Sequence, residues 1–80
     1  MKMGDKVKYF RKLRNISQLQ LELIINASSG MISRIESNHV NPTKETLFEI
    51  SKALRLNKIE IAYLFGIIEF EYINNSELFN

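Results

Sequence analysis

Ser17-Gln18-Leu19-Gln20-Leu21-Glu22-Leu23-Ile24-Ile25-Asn26-Ala27-Ser28-Ser29-Gly30-Met31-Ile32-Ser33-Arg34-Ile35-Glu36-Ser37-Asn38 reads as two short helices joined by a tight turn. The first opens with a capping box. Ser17 can accept from the backbone N–H of Gln20, and Gln20 can reach back to the N–H of Ser17. Leu21 and Ile25 fall at helical spacing toward a core, with Ile24 at the edge. Asn26 stops the helix, because Asn tolerates the left-handed backbone that ends many helices. Ser28 suits the N-cap of a second helix. That helix would bury Ile32 and Ile35 and expose Ser29, Gly30, Ser33 and Arg34.

An exposed face that is small and polar near a helix N-terminus is what a helix entering the major groove of DNA requires. Ser17-Gln18 opening one helix, then Ile32-Ser33-Arg34-Ile35-Glu36, then Asn41-Pro42, resembles the helix-turn-helix domain of phage repressors, Cro proteins and their bacterial relatives. The resemblance spans residues 6–65 and implies an all-α, five-helix repressor-like bundle with a C-terminal tail that is extended or helical.

Composition agrees with one small domain. The chain has 80 residues and 45% hydrophobic content, enough for a modest helical core and too apolar for a disordered chain. It has no Cys and a single His, His39, which leaves no disulfide framework and no multi-His site. The N-terminus lacks the apolar core of a signal peptide, and no apolar run approaches membrane-spanning length, so a cytoplasmic protein with no membrane partner is expected. There is no Gly-rich phosphate loop and no metal-ligand spacing, so the chain reads as a non-enzyme needing no cofactor and no metal. Net charge is +2, unevenly spread. Residues 1–41 carry seven Lys or Arg against three acids, and residues 42–80 carry four against six. The basic half holds the reading helix, which suits a polyanion on one side, although ordinary solvated charge gives the same numbers.

In chain order, residues 5–14 read as helix one, with Val7, Phe10, Leu13 and Tyr9 apolar and Lys6, Lys8, Lys12 and Arg14 pointing elsewhere. Asn15 suits a left-handed position, and Ile16 packs beneath the junction. The resemblance implies an ion pair between Arg11 and Glu36 that pins helix one to the reading helix. Helix two departs from the family pattern in two ways. Glu22 stands where a small residue is usual, and its stem would have to bend outward to solvent. Leu19 and Leu23, four apart on one face, stand where charge is usual. They either thicken a core contact or form a patch for a partner, and the patch is the favoured reading.

The resemblance implies base contacts from Ser29, Gly30, Ser33 and Arg34, with Arg34 the one long donor, able to reach guanine or a phosphate. It implies phosphate contacts from Gln18, Ser28, Asn38, His39, Asn41, Thr43 and Lys44. With so few long polar side chains, DNA shape carries more of the specificity than usual. Met31 either meets a thymine methyl or fills a core gap. Thr43 caps helix four, residues 44–55, with Leu47, Ile50 and Leu54 inward and Phe48 and Ala53 flanking. Arg55 stands where the family usually has Gly. Asn57 caps helix five, residues 58–66, with Ile61, Leu64 and Phe65 inward and Gly66 at its end.

Residues 1–66 are therefore expected to form the helix-turn-helix domain, and residues 67–80 a tail for dimerisation or for capping the core. In the tail Ile68, Phe70 and Tyr72 alternate with acids, as a strand does. Its simplest partner is the same segment of a second subunit, with a short sixth helix as the alternative. The expected function is a dimeric, sequence-specific transcriptional regulator on a palindromic operator in double-stranded DNA. A repressor, a Cro-like protein and a controller of a restriction-modification system all fit. The alternative is a protein-interaction module, such as an antitoxin, that uses Leu19, Leu23 and the tail to bind a partner protein.

Overall fold

The structure is a computed structural model and describes residues 1–67. Five helices follow in order: α1 (Met3–Leu13), α2 (Gln18–Ile25), α3 (Met31–Glu36), α4 (Lys44–Ala53) and α5 (Lys58–Leu64). The described residues contain no strand. The expectations for the tail, including Ile68, Phe70 and Tyr72, lie outside the described residues.

Local signals set the helix ends. Ser17 Oγ accepts from Gln20 N at 3.0 Å, and Gln20 Oε1 accepts from Ser17 N at 2.8 Å. Asn57 and Glu60 repeat this box at α5, both at 2.8 Å. Thr43 caps α4 with its hydroxyl. Each cap satisfies amides that the first helical turn leaves without partners. Asn15, Asn26 and Asn38 turn the chain with φ of 56°, 56° and 64°. Arg55 does the same at 53°, a left-handed conformation that its Cβ disfavours.

The core is Val7, Phe10, Leu21, Ile32, Ile35, Leu47, Ile50, Leu54, Tyr63 and Leu64. In it α1 packs on α3 and α5, and α2 packs on α3 and α4. Three expectations about the core need correction. Leu13 is exposed and contributes nothing to the core, because α1 turns Gly4, Val7, Phe10 and Arg11 inward instead. Ile24 is exposed rather than at the core edge. On α5 the residue driven deepest beside Leu64 is Tyr63, with Ile61 and Phe65 only half-buried. Tyr63 meets Phe10 edge-on at 5.9 Å, a favoured aromatic geometry.

Lys6 and Arg14, expected to point away, instead bind α1 to α5 and to the end of α4. Lys6 Nζ donates to the Tyr63 carbonyl at 2.8 Å and lies 4.6 Å from its ring centre. Arg14 Nε donates to the Leu54 carbonyl at 2.9 Å, and its Nη2 pairs with Glu60 at 3.1 Å. Cations near the C-terminal carbonyls of α4 and α5 complement the helix dipoles.

Gly4 marks the tightest approach. Any Cβ there would collide with the Ile35 carbonyl at the end of α3. Its N–H donates to Asn38 Oδ1 at 2.9 Å. The lack of a side chain lets the start of α1 sit directly on the end of α3.

Candidate nucleic-acid interface

The site is built around α3, and its C-terminal end is fixed first. Glu36, 6% exposed, receives Arg11 Nε at 2.6 Å and Arg11 Nη2 at 3.0 Å, a two-pronged charge-assisted pair. Arg11 Nη1 donates to the Ile16 carbonyl at 2.8 Å, so the guanidinium also secures the turn before α2. Gln18 Nε2 donates to Glu36 Oε1 at 3.0 Å. Helices α1, α2 and α3 therefore meet at one carboxylate, and one N–H of the Gln18 amide is already committed there.

The N-terminal end differs from the sequence expectation. Ser28 does not cap the helix. The Ser28 carbonyl accepts from Met31 N at 3.1 Å, Gly30 takes φ 82° and ψ −1°, and α3 begins only at Met31. A Gly with these angles at the third position of a four-residue turn is what a type II turn requires. The missing side-chain cap comes from elsewhere. Glu22, which was expected to bend out to solvent, is 7% exposed, and its Oε2 accepts from Ile32 N at 3.1 Å. A carboxylate from α2 thus occupies the N-terminus of α3, where partial positive charge favours it. The length of Glu22 reaches a donor that a small residue would leave alone.

Ser29, Ser33 and Arg34 are exposed along α3 and the turn before it, with Gly30 half-buried between them. The Arg34 guanidinium makes no ion pair among the described residues. Met31 is half-buried and, with Ile25, Asn26, Ala27, Thr46 and Glu49, lines an open cleft of about 130 Å³. That volume is below the range of small-molecule sites.

The other residues implied as phosphate contacts are spread along one run of chain. Asn38 is turned toward α1, with Oδ1 on Gly4 N and Nδ2 at 3.5 Å from Asp5. His39 Nδ1 lies 2.7 Å from Ser37 Oγ. Thr43 Oγ1 is occupied by the Thr46 amide at 3.1 Å. Ser28, Asn41 and Lys44 are exposed, and Lys44 opens α4. Leu19 and Leu23 are 63% and 72% exposed. They therefore do not thicken the core contact and form a surface patch on α2.

Sequence reasoning missed the structural parts played by Gly4, Lys6, Arg14 and Glu22. Only Glu22 carried a signal: an acid replacing a small residue shortly before a helix whose own cap is weak.

Among the described residues no helix is long and apolar enough to cross a membrane. A family model described as helix-turn-helix matches residues 7–61, more than half of the 80-residue chain. No curated protein matches, and no solved structure matches.

Proposed function

We propose, from the premise that the chain belongs to the helix-turn-helix family of XRE type, that it binds a palindromic operator as a homodimer and represses transcription there. Family membership makes it a DNA-binding regulator.

The observation that carries it is the contrast in α3 between a clamped inner face and an outer face of Ser29, Ser33 and an Arg34 with no ion pair among the described residues. A reading helix needs its frame fixed and its donors free. In this reading Arg34 presents its donor fork to guanine O6 and N7, and Ser29 and Ser33 bond base edges or phosphate. The remaining Gln18 N–H, the first amides of α2 and the Lys44 ammonium meet the backbone. Two copies related by a two-fold axis would place two reading helices about 34 Å apart, one helical turn of DNA.

The test is sedimentation equilibrium of the full chain, alone and with a random-sequence duplex at two salt concentrations. A dimer that binds duplex and releases it at higher salt is the expected result, because phosphate contacts release counterions. A chain indifferent to duplex at low salt overturns the reading. Replacing Arg34 with Ala should cost about 1 to 3 kcal/mol and relax preference at one base pair. A uniform loss over all sequences would reassign Arg34 to phosphate.

The exposure of Leu19 and Leu23 favours a second reading, in which α2 docks a partner protein. Salt-independent association with a protein, without duplex binding, would select it.

A further inference from the structure

Gly30 has a second property besides its backbone angle. A Cβ placed on it would lie 3.0 Å from Arg34 Nη1, tighter than an ordinary van der Waals contact, with the guanidinium carbon 4.0 Å away. The Arg34 side chain therefore runs back along α3, as helical side chains do, and its fork lies across the space that any other residue 30 would fill. That space is at the N-terminal end of α3, the end that contacts base edges when a helix of this kind enters the major groove. Ser29 is short, and the helix proper begins only at Met31. Within α3 and the two residues before it, Arg34 is thus the one long donor.

We propose that Gly30 is a specificity-determining position that acts by being empty: it gives the Arg34 guanidinium its path to the leading end of α3, where the fork reads a guanine. This deepens the function proposed above and rests on it. Gly30 is a positioning residue. It makes no base contact through a side chain, and its effect passes through Arg34.

The experiment is selection from a duplex pool with a randomised 20-base-pair core (about two helical turns), using the full chain and three variants: Gly30→Asn, Arg34→Ala and the double variant. Asn is the informative replacement because, of the residues with a long enough side chain to block the path, it enters the left-handed region most readily, as Asn15, Asn26 and Asn38 do in this chain. Selections are run at a temperature at which melting profiles show Gly30→Asn to be folded. The parent should select a site containing a guanine whose preference Arg34→Ala lowers by at least about tenfold. Gly30→Asn should lower the same preference, and it should have little further effect once Arg34 is Ala, since coupled residues are non-additive. Selection of the parental site by folded Gly30→Asn, or independent effects of the two changes, overturns the inference and leaves the DNA-binding reading standing. Failure of the parent itself to bind the pool at low salt removes both.

Discussion

The two ends of α3 are held in opposite ways. At its C-terminus Glu36 is buried under Arg11 and Gln18, and the backbone of Ile35 abuts Gly4 so closely that no side chain fits between them. At its N-terminus the cap residue offers no side-chain bond, the preceding turn is exposed, and one carboxylate reaching from α2 takes the Ile32 amide. The inner end is fixed by charge and backbone contact. At the outer end the side chains of Ser29, Ser33 and Arg34 make no hydrogen bond or ion pair among the described residues. A six-residue helix has too few hydrogen bonds of its own to be stable alone, so its orientation comes from what grips it. Gripping one end leaves the other available to a ligand.

The largest test of this contrast is to break the clamp. Arg11→Met leaves a buried carboxylate without its cation and should cost about 3 to 5 kcal/mol, read by urea unfolding. Combining Arg11→Met with Glu36→Leu should recover most of that loss, because a buried pair replaced whole is often neutral. If the single change is mild, the clamp is not what holds α3. Gly4→Ala comes next. It forces a methyl against backbone that cannot swing aside, and about 3 kcal/mol, the upper part of the over-packing range, is expected in the melting profile. At the other end, Glu22→Ala leaves the Ile32 amide buried without an acceptor and should cost about 1 to 3 kcal/mol. Glu22→Gln keeps a carbonyl there and should cost less. Hydrogen exchange at Ile32 reports the cap directly, and unchanged protection in Glu22→Ala would refute it. The smallest effect is expected on the surface of α2. Leu19→Gln with Leu23→Gln should change stability by no more than about 0.5 kcal/mol. A larger loss would mean that the patch is covered in the folded protein.

The fold was legible wherever the signal was local. Ser17 with Gln20, Thr43, Asn57 and Asn26 set their boundaries through neighbours within three or four residues, and each stands in the structure where the sequence placed it. The start of α3 was not legible, because Ser28 and Gly30 both fit a helix opening. Choosing between them required the position of Glu22, which the turn between the two helices supplies. Leu13 and Ile24 show a related limit: periodicity gives the width of an apolar face but not the direction in which packing turns it. Gly4 and Lys6 carried no pattern at all. The part of a glycine that matters is the side chain it lacks, and the partner of Lys6 lies at Tyr63, beyond any periodic window. For the candidate site, the residue types along α3 and the loop after it could be read from the sequence. Which of their polar atoms are already occupied, as in Gln18, Asn38 and Thr43, could not.

The attachments of α1 also bear on how the chain is made. Its bonds reach Glu36, Asn38, Leu54, Glu60 and Tyr63, the last 57 positions downstream of Lys6. A ribosome adding about 10 residues per second would emit Lys6 on the order of 6 s before Tyr63. Until then Val7 and Phe10 have no completed surface to pack on. Helix α1 can therefore dock on α3 early, but its apolar side is fully covered only when α5 has been made.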